Sequence, residues 1–200
     1  MASYRTNRII SVSLIVIIIG AAIFGLVYFA RILFFSGVGS ILSQTNTSIS
    51  ALLSTDADRA VRMTVRGPIV ADENSRSYQI KITPNERILT IYRGYENQEI
   101  NNISLDNNIP AYEQFVYALN NAKMMNANEL SDERNDTRGV CATGRLYEFQ
   151  ILKADKSVKK LWATSCSRTR GSLGVSYYSL NNLFTVQIPD ARDKIGDLWR

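Results

Sequence analysis

The sequence contains no histidine. That absence removes the commonest general base, the commonest transition-metal ligand and every histidine-containing catalytic triad. Cysteine is scarce, with Cys141 and Cys166 the whole supply. Two thiols without an imidazole make a poor zinc site, and their spacing is not the C-x-x-C of a thioredoxin-type redox pair. No acidic residue precedes Asp56. Glycine-rich phosphate loops are missing as well, since neither G-x-x-x-x-G-K nor a G-x-G-x-x-G after a strand occurs. Only four prolines punctuate the 200 residues. With 46% apolar and 20% charged residues, the chain is neither disordered, collagen-like nor a disulfide-dense mini-protein.

What the chain does contain is one long hydrophobic run. Ile9 to Ala30 reads IISVSLIVIIIGAAIFGLVYFA, 22 residues without a charge. A helix needs about 20 apolar residues to cross the hydrocarbon core. The run exceeds the 7–15 residues of a signal-peptide core, and no cysteine follows it for lipid attachment. Residues 9–35 are therefore expected to form an uncleaved transmembrane signal anchor in the lipid bilayer. Arg5 and Arg8 precede the span and only Arg31 closes it, which points the N-terminus (1–8) to the cytoplasm and the C-terminal domain outside. Tyr28, Phe29, Phe34 and Phe35 fit an aromatic belt at the outer interface.

Lys plus Arg number 23 against 18 Asp plus Glu, a formal net charge of +5. Without Arg5, Arg8 and Arg31 the remainder carries 20 basic and 18 acidic residues, close to balance. No concentrated basic stripe remains, so no nucleic-acid partner is expected. Lys153, Lys156, Lys159 and Lys160 cluster around an expected turn, where lysines are usually solvated. In an oxidising exterior, Cys141 and Cys166 are expected to form one structural disulfide, two free buried thiols being the alternative.

Residues 36–58 are rich in Ser and Thr and read as a juxtamembrane stalk, in which Leu42, Ile49, Leu52 and Leu53 leave open a partial helical continuation, with an α+β domain over 59–200. Val61, Met63 and Val65 alternate with Arg62, Thr64 and Arg66, the period of a half-buried strand. Tyr78, Ile80 and Ile82 repeat that pattern, Thr83-Pro84-Asn85-Glu86 turns the chain, and Ile88 to Tyr92 returns. The polar, Asn-rich stretch 97–108 shows no element. Asn108-Ile109-Pro110 opens a helix with Tyr112, Phe115, Val116, Leu119 and Ala122 on one face, expected to end near Asn126. The charged stretch 128–139 lacks the glycine and ligand spacing of a calcium loop. Tyr147, Phe149 and Ile151 begin a second hairpin that returns over 158–166. Leu180, Leu183, Phe184 and Ile188 mark a short helix that Pro189 ends. The tail from Asp190 carries no pattern. The order β-ββ-α-ββ-α predicts a mainly antiparallel sheet of about five strands with helices on one face.

Chemical motifs are few. Ser157-Val158-Lys159-Lys160 matches S-x-x-K but sits on a hairpin, with no K-T-G element. The sequons at Asn46, Asn102 and Asn135 matter only in a eukaryotic secretory pathway. Asp72 with Glu73, and Glu96 with Glu99, are hydrolase candidates only in the sense that any acidic loop is, and they read as solvated surface. Arg62, Arg66, Tyr92, Arg93 and Tyr95 combine charge with aromatic rings, as contact surfaces do. The other reading pairs these arginines across strands with acids.

A long N-terminal hydrophobic helix, an α+β ectodomain and a C-terminal cysteine pair resemble the type IV pilins and pseudopilins. That resemblance implies a filament or secretion-system subunit. The chain departs from that family's pattern in having no Gly-Phe or Gly-Met step before the run and no Glu inside it. The segments RGPIVADENSRSYQIKITPNERILTIYRGY, PAYEQFVYAL, GVCATGRLYEF, LWATSC and QIPD resemble membrane-anchored proteins of reduced-genome bacteria, a likeness that implies no activity. Together these features predict a non-enzymatic, cofactor-free binding or assembly domain displayed to a protein partner at the cell surface.

Overall fold

A computed structural model describes residues 20, 21, 24, 25 and 47–199. Most of the expected span and residues 36–46 of the stalk lie outside the described residues. Among the described residues no helix is long and apolar enough to cross a membrane.

The domain is α+β, built on one six-stranded antiparallel sheet: β1 (Arg59–Arg66), β2 (Arg76–Ile82), β3 (Glu86–Arg93), β4 (Gln98–Asp106), β5 (Leu146–Lys153) and β6 (Lys156–Thr164). The spatial order is β4-β3-β2-β1-β5-β6. β1 lies in the middle, with Met63 opposite Ile80 on one side and Phe149 on the other. Alternation along β1 buries Val61, Met63 and Val65 completely and turns Arg62, Thr64 and Arg66 to the opposite face.

Among the described residues, four α-helices follow β1: α1 (Ile109–Asn121), α2 (Asp132–Asn135), α3 (Tyr177–Thr185) and α4 (Ala191–Asp197). The Asn108 side chain caps α1 by accepting from the Ala111 N–H at 2.9 Å. Tyr112, Phe115, Val116 and Leu119 of α1 join Leu180 and Phe184 of α3, and Ala191 of α4, in the same core as the sheet. Phe184 meets Phe115 edge-on at 5.2 Å and Phe149 at 6.0 Å. The buried helix residues therefore all stand over one face of the sheet.

The sheet has six strands where the pattern predicts about five. β4 is the addition: it is an edge strand of the Asn-rich stretch, and only Ile103 and Leu105 are partly covered. A strand with one paired edge and no buried face leaves no alternation to read. α1 stops at Asn121, short of the expected Asn126. Lys123 turns left-handed (φ 59°), and Met124 N–H closes onto Leu119 O, which drops Met124 into the core. Residues 47–53, assigned to the stalk, are helical, and Leu52 is completely buried in the domain core. The folded domain thus begins before Arg59. The tail after Asp190 forms α4 and carries Trp199 back to the sheet.

Candidate ligand-binding cleft

The site lies at the helix-bearing face, where β1 ends and β5 begins. Two adjoining hollows of about 620 and 360 Å³ share Arg145, Tyr147, Asn181 and Trp199. The first adds Arg76 and Tyr178, and the second adds Tyr78 and Arg192.

Cys141 and Cys166 stand in the chain beside the lining residues Thr143, Gly144 and Ser165. They are disulfide-bonded, with Cα atoms 5.7 Å apart, although neither belongs to a strand. Ser165, beside Cys166, holds the chain ahead of β5: its N–H donates to Arg145 O at 2.9 Å, and its Oγ accepts from Arg145 N–H at 2.8 Å. Gly144 completes the turn because a Cβ there would lie 2.5 Å from Ser165 Oγ and 2.6 Å from Cys141 Sγ. The disulfide therefore anchors the backbone that presents Arg145.

The walls are aromatic. Tyr147, Tyr177 and Tyr178 form a ladder, with centroids 4.2 and 4.5 Å apart and planes 23° from parallel in each pair. Tyr178 is 70% exposed, so the ladder runs from the sheet out to solvent. The Tyr78 hydroxyl donates to Asn181 Oδ1 at 3.1 Å. Burial pushes the Tyr78 phenol far above its ordinary value, and Tyr147 adds to that shift. Tyr177 is raised likewise by burial and then by its hydrogen bond with Tyr178. Both therefore stay protonated and uncharged at neutral pH.

Trp199 roofs the β1 end. A Cβ on Gly67 would collide with its six-membered ring. The Arg145 guanidinium carbon stands 4.6 Å from the ring centroid on a cation–π contact. Trp199 Nε1 is buried without a hydrogen-bond partner among the described residues.

The cleft's cations also lack counter-ions. Arg76 donates to the carbonyls of Glu73 and Ser75, and Arg192 to Asn182 Oδ1 at 2.5 Å. None of the ion pairs among the described residues involves Arg76, Arg145 or Arg192. No Asp or Glu lines either hollow. The lining contains neither a thiol nor a carboxylate, so it is equipped to bind anions and flat surfaces.

The contact surface expected from sequence is divided between different environments. Arg62, Arg66 and Tyr92 share the sheet face opposite α1 and α3: Arg66 and Tyr92 both stand opposite Ser77. Arg66 Nη1 pairs with Glu148 Oε2 at 2.6 Å, and Arg62 Nε donates to Gln150 Oε1 at 2.8 Å. Arg93 lies at the β3–β4 end and donates to Gln98 Oε1. The Tyr95 hydroxyl donates to Val70 O at 2.7 Å, and its backbone N–H is held by Asp72 Oδ1. Asp72 thus serves the fold of that loop, beside an exposed Glu73.

Sequence reasoning missed Arg76, Arg145, Arg192, Tyr177, Tyr178 and Trp199. The Tyr177-Tyr178 doublet and a tryptophan in an otherwise unpatterned tail were the available signals. Nothing in the order of the chain puts them beside Arg145. No protein-family model matches the chain, and no curated protein matches it. The functional reading therefore rests on the cleft.

Proposed function

We propose that the chain is a single-pass membrane-anchored protein that displays a non-enzymatic ligand-binding domain outside the cytoplasm, with the tyrosine–tryptophan–arginine cleft as its binding site. The observation that carries the binding role is that Arg76, Arg145 and Arg192 face the same cleft with no carboxylate in its lining. Guanidinium groups form their strongest contacts with carboxylate or phosphate oxygens. Like charges gathered without a counter-ion repel one another, and a bound anion removes that repulsion. The anchoring role is supported by the apolar run Ile9 to Ala30 and the arginines that precede it. The paired cysteines favour an oxidising compartment.

The test is protease accessibility on intact cells, combined with thiol labelling before and after reduction. The expected result is digestion of the domain from outside, with Cys141 and Cys166 labelled only after reduction. A protected domain whose cysteines label freely would overturn the extracytoplasmic placement and leave an intracellular binding module.

A further inference from the structure

Taking the binding-module reading as its basis, we propose that the cleft recognises an acidic oligosaccharide, its sugar rings lying on the Tyr147–Tyr177–Tyr178 ladder and its acidic groups on Arg76, Arg145 and Arg192. Four features converge on this ligand class. First, the lining carries positive charge and no negative charge. Second, the Trp199 ring lines both hollows and carries the Arg145 guanidinium 4.6 Å from its centroid, which sets a flat surface beside a cation. Third, the exposed outer end of the tyrosine ladder is a flat platform of the kind that the C–H faces of pyranose rings cover. The amides of Asn74 and Asn181 and the hydroxyl of Thr143 line the same hollow, and each can hydrogen-bond sugar hydroxyls. Fourth, the larger hollow has a volume of about 620 Å³. That is within the 300–1,000 Å³ usual for small-ligand sites.

Peptide and nucleic-acid occupants fit less well. An extended peptide adds to a free strand edge, and an amphipathic helix needs an apolar groove. The strands that line the cleft, β2 and β5, are each paired on both sides, and its lining is rich in arginine, asparagine and hydroxyl groups. Single-stranded nucleic acid follows a charged track over several nucleotides. Here the cations are confined to two adjoining hollows, Arg76 in one, Arg192 in the other and Arg145 in both.

The experiment uses the full chain in detergent micelles, titrated by calorimetry and tryptophan fluorescence. The probes are a galacturonic acid tetramer (carboxylate), a heparin tetrasaccharide (sulfate), a teichoic-acid fragment (phosphate), neutral maltotetraose and tetraglutamate. The proposal expects micromolar binding of at least one acidic saccharide, and which one binds identifies the acidic group. Maltotetraose and tetraglutamate are expected to bind at least about tenfold more weakly. Arg145→Ala and Tyr177→Ala each weaken the binding by about tenfold or more, whereas Arg138→Ala, at a residue paired with Asp136 outside the cleft, leaves it unchanged. Arg192→Ala, at an exposed side chain whose bond is to Asn182, gives the same loss without loosening Trp199. Equal binding of maltotetraose overturns the charge argument. Tetraglutamate bound through Arg145, with the saccharides unbound, overturns the ligand class and leaves the cleft a binding site. No binding of any probe at millimolar concentration overturns both the ligand class and the cleft.

Discussion

Tyr112 carries a phenol into the core with 1% of its surface exposed. Burial pushes its pKa up from 10.0 to about 12, against a smaller downward pull from Arg59. The folded value lies above the unfolded one. The stabilisation is therefore complete below pH 10 and is lost as pH rises through about 12. A shift of this size corresponds to roughly 2–3 kcal/mol across that window. Urea titrations at stepped pH are expected to show the unfolding midpoint falling above pH 10. Tyr112→Phe should flatten part of that fall, and the remainder belongs to Tyr78 and Tyr177. A variant with an unchanged alkaline profile would show that Tyr112 ionises without unfolding the domain.

At the scale of the element, the helical segment 47–53 matters most because it moves the start of the domain. Leu52 is completely buried in the core, so truncation to alanine should leave a cavity. Leu52→Ala is expected to cost about 3 kcal/mol, read as a lower denaturation midpoint at unchanged m-value. A cost near zero would return this segment to the stalk. The elements with one buried face were legible in the sequence: β1, both hairpins, α1 and α3 all show their period. β4 was not, because an exposed edge strand has no apolar stripe to keep. Nor was α4, whose one buried residue is Ala191. The cysteine pair was legible from its isolation, but the cleft was not. Its residues come from β2, the approach to β5, α3, α4 and the tail, and only the sheet order makes them neighbours. The arginines that did stand out lie elsewhere, with Arg66 already engaged by Glu148.

For the molecule as a whole, the disulfide joins the approach to β5 to the exit of β6, closing a loop of 25 residues. Such a closure stabilises by about 3 kcal/mol on the chain-entropy model. Reduction is therefore expected to lower the thermal midpoint by roughly 6–12 °C, measured by calorimetry with and without reductant. An unchanged midpoint would show that the two hairpin ends are held by Ser165 and Gly144 alone.

The sheet order has a kinetic consequence. β2 with β3, and β5 with β6, are hairpins that close over turns of a few residues. β1 lies between them and precedes both, and its partner on one side is β5, where Arg59 meets Lys153. Long-range pairing of this kind is slow, because loop-closure entropy is lost before contacts reward it. A chain delivered N-terminus first exposes Val61, Met63 and Val65 before β5 exists to pair with β1. Until β5 arrives, that face of the nascent domain is the segment most in need of a chaperone.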